Sequence, residues 1–383
     1  MILPGVRLPE PRAGAKPDQE MKKPLKKKLL LAVRIAVSLG LISYIFSRIA
    51  AEHKLGDLLV YWSEMRIGWA VGAFLILFGL LAAGSVRWGM LLAARGVRLS
   101  FGSLFMYYLV GMFFNNFFPT TVGGDVVKAY YLSRSTGKTA VAFVSVLLDR
   151  LMGMGGLCLV AVAACLLGGR TLWSLPATRP YALPVFLIVG GTTALLGLFF
   201  LIAFNDRVMN FFLSLARWGK IGEKIRELHQ ALYLYKGRGR VLFLTLLISA
   251  GIWVMIVIST WMLSLAFTSG LSPLPPGKFP PIPIVYFFLF LPPIAVIMSL
   301  PISFAGIGTR EMAFIEFFGP LEGVGDPGAL IIALTFYFLY LASSLPGGLI
   351  YIFKDALRFH REVPDLPAAA TAVPLPSEKE LSL

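Results

Sequence analysis

Apolar runs of about 20 residues recur along this chain and constrain its fold more than any other feature. A helix of about 20 apolar residues crosses the hydrocarbon core of a bilayer. The chain is 57% hydrophobic with a mean hydropathy of +0.78, values that exclude a soluble domain. We therefore predict an all-α polytopic membrane protein with about six full spans. The predicted spans are Leu29–Ile49, Ile67–Leu92, Ala140–Gly168, Leu183–Phe204, Val241–Phe267 and Ala329–Phe353.

The distribution of basic residues predicts which loops are cytoplasmic. The net charge is +15, and Lys and Arg are enriched in the loops on the cytoplasmic side of a membrane protein. We assign residues 1–28 to a basic cytoplasmic segment and residues 29–358 to the transmembrane domain. Residues 205–240 are predicted to form a cytoplasmic loop with an amphipathic helix on the membrane surface. Residues 359–383 are predicted to form a disordered cytoplasmic tail.

Counting the spans between cytoplasmic loops predicts two segments that enter the membrane and return. Residues 93–100 and 120–139 are both predicted to be cytoplasmic, yet only one apolar run lies between them. One crossing cannot connect two loops on the same side, so residues 101–128 are predicted to be a re-entrant element. The same count predicts a second one at residues 284–318, from the opposite face. Two broken elements from opposite faces are typical of an inverted repeat, although the halves share no clear sequence repeat.

The two predicted re-entrant elements contain residues that lipid-facing helices exclude. Proline and paired glycines are predicted to interrupt the helical backbone at Pro119, Pro301, Gly306 and Gly308. Irregular backbone at membrane depth is tolerated where it is buried in protein or lines a wet cavity. The polar residues and the paired glycines at the breaks are Asn115, Asn116, Thr120, Thr121, Gly123, Gly124, Asp125, Lys128, Arg310 and Glu311.

Charges inside a span cost about 2.5–3.5 kcal/mol each on insertion scales, so each one needs an explanation. Asp149 and Arg150 lie well inside the third predicted span. Adjacent residues on a helix point in different directions, so we expect each to find a partner on one of the two breaks. Arg87 lies near the end of its span, and we expect its side chain to extend to the membrane interface.

These residues suggest a site for an anionic head group. Arg150, Arg310 and Lys128 are the predicted phosphate ligands, because guanidinium and ammonium groups bind phosphate oxygens. Backbone amides at Thr120, Thr121, Gly123 and Gly124 are predicted to add an anion site at a half-helix N-terminus, and Asn115 and Asn116 to bind sugar or glycerol hydroxyls. Asp125, Asp149 and Glu311 are candidates for proton coupling or ion pairing. The structural alternative is that these charges only lock the fold.

Several classes of site have no support in the sequence. No Walker loop, Gly-x-Ser-x-Gly elbow or His-Glu-x-x-His motif is present. Cys158 and Cys165 lie on one apolar run, and the histidines fall in loops or tails, so we expect no metal and no cofactor. We predict that the protein is not an enzyme and binds no nucleic acid. Its expected partners are an anionic lipid substrate and membrane lipids, with a second copy of the chain and a separate lipid-synthesising enzyme as further candidates.

The motifs at the breaks resemble those of a known family. Asn116 to Pro119, Gly123-Gly124-Asp125, Leu148-Asp149-Arg150 and the run from Leu300 to Glu311 occur in the order found in the transmembrane flippase-like domain of lysylphosphatidylglycerol synthases. The resemblance covers about residues 25–358 and implies a lipid translocase. The cytosolic aminoacyltransferase domain of those synthases has no counterpart here, so the resemblance implies a stand-alone member. It also implies a multi-pass protein of a bacterial or archaeal cytoplasmic membrane, with both termini cytoplasmic.

The leading hypothesis is a flippase or scramblase for an anionic phospholipid or an isoprenoid-linked lipid. The head group would bind between the two re-entrant elements. Two alternatives stay open: a lipid-modifying membrane enzyme or its accessory subunit, and a lipid-binding scaffold that does not translocate.

Overall fold

The computed structural model describes residues 17–51, 55–117, 123–174, 176–209, 229, 232–233, 235–269, 277–300 and 302–353. These residues are almost entirely helical, with one isolated bridge between Thr268 and Phe279. The helices in chain order are α1 (Pro17–Ala51), α2 (Leu55–Ser63), α3 (Ile67–Ala93), α4 (Phe101–Phe117), α5 (Gly123–Thr136), α6 (Thr139–Ser174), α7 (Arg179–Ala203), α8 (Gly239–Leu265), α9 (Ile284–Ser299), α10 (Thr309–Phe318) and α11 (Gly325–Ile352).

Within the described residues, six helices are long and apolar enough to cross a membrane, which confirms the predicted all-α polytopic fold. These candidate spans are Ala32–Ala50, Ile67–Ala93, Thr139–Ser174, Arg179–Ala203, Lys236–Leu265 and Gly325–Ile352. One end differs clearly from the prediction, because α6 continues past Gly168 to Ser174. An added Cβ at Gly168 would lie 2.7 Å from Cγ2 of Val285 on α9, so the glycine allows a neighbouring helix to approach closely.

Helices α3, α6 and α8 form the centre of the bundle, in which α3 runs antiparallel to both α6 and α8. The Oγ of Ser259 on α8 donates a hydrogen bond to the carbonyl of Ala73 on α3 at 3.0 Å. Small residues permit such close contacts between helices in membranes. At Gly156 on α6, an added Cβ would lie 2.4 Å from the carbonyl carbon of Ser249 on α8. Helix α8 therefore packs closely against both α3 and α6.

The two ends of this bundle can be told apart by their contacts. At the first end, the amide of Arg66 before α3 donates to the carbonyl of Ala266 after α8 at 3.0 Å. At the second end, the hydroxyl of Tyr235 before α8 donates to the carbonyl of Leu91 on α3 at 3.2 Å. Burial raises the pKa of Tyr235 to about 12.

Helices α4 and α5 form an antiparallel helical hairpin that starts at the second end. The rings of Tyr107 and Tyr131 stack at 5.7 Å near its base. Near its tip, the amide of Gly124 donates to Oδ1 of Asn115 at 2.8 Å. The predicted re-entrant element at residues 101–128 is therefore a helical hairpin, and its second arm is longer than predicted because α5 continues to Thr136.

Helices α9 and α10 form a second hairpin, which starts at the first end. The indole of Trp261 near the end of α8 donates to the carbonyl of Ile282 just before α9 at 3.2 Å. The ring centroids of Phe287, at the start of α9, and Phe318, at the end of α10, are 4.9 Å apart. The two arms are therefore antiparallel. The hairpins therefore start at opposite ends of the bundle, as the sequence predicts.

The break in the second hairpin contains left-handed backbone. Gly306 and Gly308 have φ values of 78° and 86°, a region that favours glycine. At Gly308, an added Cβ would lie 2.8 Å from Cβ of Leu41. The glycine therefore permits both the turn and the close approach of α1.

Some predictions lie outside the described residues. These are the amphipathic helix within residues 210–228, the disordered tail at 359–383, most of the basic segment at 1–28, and Pro119, Thr120, Thr121 and Pro301.

Candidate functional site

A cavity of about 420 Å³ lies at the centre of the bundle, where the tips of the two hairpins meet. Asn115 lines it from the end of α4, and Ser299 lines it from the end of α9. Helices α3, α6, α7, α8 and α11 each contribute residues from near the middle of their length. The polar and charged lining residues are Arg87, Tyr108, Asn115, Asp125, Lys128, Asp149, Arg150, Thr192, Ser299 and Tyr340, and the rest of the lining is mostly apolar.

Five charged side chains form a continuous series of ion pairs along the cavity. Asp149 accepts a hydrogen bond from Nε of Arg87 at 2.8 Å. Nζ of Lys128 lies 3.5 Å from the other oxygen of Asp149 and 3.3 Å from Oδ1 of Asp125. The second oxygen of Asp125 accepts a hydrogen bond from Nη1 of Arg150 at 2.6 Å. Each carboxylate is therefore shared by two cations.

This series carries an excess positive charge. Three cations, Arg87, Lys128 and Arg150, face two carboxylates, Asp125 and Asp149, so the formal sum is 3 − 2 = +1. Charges interact more strongly in a low-dielectric interior than in water. An anion in the cavity would therefore be attracted to this cluster.

The positions of these residues on their helices explain how they come together. Asp149 and Arg150 are adjacent on α6 and point to different neighbours, Asp149 to α3 and Arg150 to α5. The side chain of Asp149 is 3% exposed and that of Arg150 is 34% exposed. Asp125 and Lys128 are three residues apart on α5, a spacing that places them on one helix face. The sequence predicted that Asp149 and Arg150 would find partners on a break, and the α4–α5 hairpin supplies them.

The prediction that Arg87 extends to the membrane interface is wrong. Its side chain does not extend to the membrane interface, because the residue is 5% exposed and pairs with Asp149. Its Nη1 also donates to Oγ of Ser249 on α8 at 3.0 Å. Arg87 thus connects the three central helices. The signal available in the sequence was the unmatched Asp149 on a neighbouring span.

Lys128 is held by aromatic rings as well as by carboxylates. Its Nζ lies 4.5 Å from the ring centroid of Tyr108 and 5.5 Å from that of Trp88. Ammonium groups are attracted to the faces of aromatic rings within about 6 Å. Lys128 is 5% exposed, so these contacts compensate for part of its lost hydration.

The tip of the first hairpin is built on very close backbone contact. An added Cβ at Gly124 would lie 1.7 Å from the carbonyl oxygen of Gly111. The Gly124 amide, which the sequence predicted to bind an anion, donates to Asn115. Gly123 begins α5. The buried Nδ2 of Asn116 has no hydrogen-bond partner among the described residues, so it is a donor that an additional ligand could satisfy.

Arg310 and Glu311 lie at the start of α10 and do not line the described cavity. Oε2 of Glu311 accepts a hydrogen bond from the amide of Gly308 at 2.7 Å. Its Oε1 accepts one from Nε of Arg310 at 3.1 Å. The guanidinium carbon of Arg310 lies 3.8 Å from the ring centroid of Tyr337 on α11. These contacts hold the break in place, and a substrate role for the two residues stays a prediction.

Comparison with known proteins identifies the family. Residues 31–347 match the family described as Lysylphosphatidylglycerol synthase TM region. No curated protein matches the chain. The matched region begins in α1 and ends in α11, so it contains every residue that lines the central cavity. The chain therefore belongs to the lysylphosphatidylglycerol synthase transmembrane region family.

Proposed function

We propose that this protein is a membrane lipid translocase, a flippase or scramblase, that binds an anionic lipid head group in the central cavity. The observation that carries the proposal is the excess positive charge of the cavity between the two hairpin tips. An excess of positive charge at the centre of an apolar bundle is costly. A bound anion would compensate for that cost.

The size and lining of the cavity fit a lipid head group. A volume of about 420 Å³ falls within the range of about 300–1,000 Å³ that is typical of small-molecule sites. Arg150 is the most exposed cation of the cluster, and its guanidinium can bind two phosphate oxygens at once. Tyr108, Thr192 and Ser299 could then donate hydrogen bonds to phosphate, glycerol or sugar oxygens.

The two hairpins supply a means of alternating access. They start at opposite ends of the bundle, and their tips meet at the cavity. Rocking of one hairpin against the rest of the bundle would open the cavity to one side at a time, as in transporters with broken helices. Transport would follow the lipid gradient, or a proton gradient acting through Asp149, the buried carboxylate of the cavity.

The proposal also includes the membrane in which the protein lies and its orientation there. It would lie in the cytoplasmic membrane of a bacterium or archaeon with both termini in the cytoplasm, because the basic loops prefer that side. It would move its substrate without changing it chemically. A separate enzyme would then synthesise the anionic phospholipid or isoprenoid-linked lipid.

Reconstituted vesicles test this function. Wild-type protein would be placed in vesicles of a neutral phospholipid containing a head-group-labelled phosphatidylglycerol, and transfer would be followed by a quencher added outside. We expect faster transfer than in protein-free vesicles, with the lipid mass unchanged. Arg150→Gln should transfer the labelled lipid more slowly than the wild type. Arg170→Gln is the matched control, because Arg170 is an exposed arginine on the same helix, α6, and does not line the cavity.

The other outcomes identify the alternatives. A changed lipid mass would favour a lipid-modifying enzyme. Binding of the lipid without any transfer would favour a scaffold. Either result would overturn the translocase proposal.

A further inference from the structure

A second, smaller opening of about 80 Å³ lies between α5 and α6, next to the central cavity. Two of its lining residues, Asp125 and Arg150, also line the central cavity, and they are the only two shared by both sets of lining residues. Its other lining residues are all apolar: Val126, Ala129, Phe143, Val146 and Leu147. We call this opening the α5–α6 crevice.

The crevice is on the outer, lipid-facing surface of the bundle. Val126 is 53% exposed and Phe143 is 60% exposed, and large apolar side chains at such exposure on a membrane helix face hydrocarbon. From Phe143 to Arg150, the crevice extends roughly 10 Å along α6 at 1.5 Å per residue.

The crevice lies in one half of the membrane. It occupies the part of α6 that begins at the α5–α6 turn, and this turn is at the second end of the bundle. Ala142 and Val146 of α6 belong to the same buried cluster as Trp88 and Leu92 near the end of α3. A hydrocarbon chain in the crevice would therefore belong to the leaflet on the side of the α5–α6 turn.

The Asp125–Arg150 ion pair separates the crevice from the cavity. The Arg150 side chain is 34% exposed and the Asp125 side chain is 14% exposed, whereas the side chains of the other three charged residues are 3–6% exposed. Partly exposed ion pairs contribute little to stability and can be exchanged for other partners. This pair is thus the part of the cluster that can open at the lowest cost.

We propose that the α5–α6 crevice is a binding site for a hydrocarbon chain of the lipid, and that the lipid reaches the cavity from this leaflet by displacing Asp125 from Arg150. The inference rests on the proposed function. The phosphate would replace Asp125 as the partner of Arg150 while the chain stays against Val126 and Phe143. An amphipathic ligand thereby meets charges at one end of the route and apolar side chains at the other.

Filling the mouth of the crevice tests the route. Val126→Trp adds bulk at an exposed position, so folding should be unaffected, which size-exclusion chromatography would check. Val71→Trp is the matched control, because Val71 is a 50% exposed valine on α3 that lines neither opening. Transfer of labelled phosphatidylglycerol in vesicles should fall several-fold in Val126→Trp and stay at the wild-type rate in Val71→Trp.

A second measurement separates this inference from the proposed function. Anionic and neutral lipids with the same photoreactive chain would be incorporated into vesicles with wild-type protein, and cross-linked peptides would be mapped by mass spectrometry. We expect the anionic lipid to label the segments around Val126 and Phe143 several-fold more than the neutral lipid, and both to label the segment around Val71 equally.

Each result decides one claim. Equal labelling by both lipids at Val126 and Phe143, or wild-type transfer in Val126→Trp, would overturn the crevice as the route. If wild-type protein transfers no lipid in vesicles, the translocase proposal fails. Head-group-dependent labelling would then still support the crevice as a lipid-binding site.

Discussion

Asp149 on α6 accepts a hydrogen bond at 2.8 Å from Nε of Arg87 on α3, and both residues are at most 5% exposed. The pair joins two central helices beside the cavity. Removing one partner of a buried ion pair leaves a charge without compensation in a low-dielectric environment. The contribution of the Arg87–Asp149 pair to stability can therefore be compared with that of the more exposed Asp125–Arg150 pair.

We expect Asp149→Asn to lower stability more than Asp125→Asn. Asp149→Asn removes the carboxylate from both Arg87 and Lys128, and loss of one partner of a buried pair costs about 3–5 kcal/mol. Asp125→Asn should cost less, because Lys128 keeps Asp149 as a partner and the Arg150 side chain is 34% exposed and can reach polar surroundings. The measurement is the apparent melting temperature in detergent. Equal decreases would show that the two pairs are energetically equivalent.

The tip of the first hairpin should not tolerate a methyl group. Gly124→Ala places Cβ 1.7 Å from the carbonyl oxygen of Gly111, so α4 and α5 must separate, and overpacking costs about 1–3 kcal/mol. Gly251→Ala on α8 is the control, because its Cβ would meet nothing within 4 Å. We expect a lower melting temperature for Gly124→Ala only. A wild-type value for Gly124→Ala would contradict the close packing.

Replacing Glu311 should lower the apparent melting temperature more than replacing Glu316, which lies on the same helix, α10. The Glu311 side chain is 6% exposed and pairs with Arg310, whereas the Glu316 side chain is 43% exposed and pairs with Arg48. Glu311→Gln leaves Arg310 without its carboxylate and should cost about 3–5 kcal/mol. Glu316→Gln should cost about 1 kcal/mol or less, as for other exposed pairs. Similar losses would mean that burial does not determine the contribution of these pairs.

Cysteine labelling tests the arrangement of the hairpins across the membrane. In a background with Cys158→Ala and Cys165→Ala, Glu64→Cys lies at the first end of the bundle and Ser133→Cys at the second. We expect a membrane-impermeant maleimide to label the Glu64→Cys variant on intact cells, and the Ser133→Cys variant only after permeabilisation. Labelling of both variants from one side would contradict the opposite starting points of the hairpins.

Much of the fold follows from the sequence because membranes impose simple rules. Apolar length predicted the six spans, and the parity of basic loops predicted both hairpins. The ends of helices were predicted less accurately: α6 continues past Gly168 to Ser174, and the glycine lets Val285 of α9 pack closely against the helix. The residues next to Gly168 in the sequence do not reveal that Val285 packs against it in the fold.

The candidate site was only partly predictable. Charges deep within a span must be paired, so Asp149, Arg150, Asp125 and Lys128 could be grouped from the sequence. Arg87 was missed because a position near a helix end also suits a side chain that extends to the interface. The pairing of Arg87 with Asp149 depends on the position of α6 relative to α3 along the helix axes. This is a tertiary feature that no local sequence pattern encodes.

Identification of the lipid that stays bound during gentle purification tests the central claim most directly. Lipids from wild-type protein, Arg150→Gln and Arg170→Gln would be compared by mass spectrometry. We predict one anionic lipid enriched over its level in the membrane in wild type and Arg170→Gln, and lost in Arg150→Gln. The same bulk membrane lipids in all variants would contradict an anion-binding cavity at Arg150.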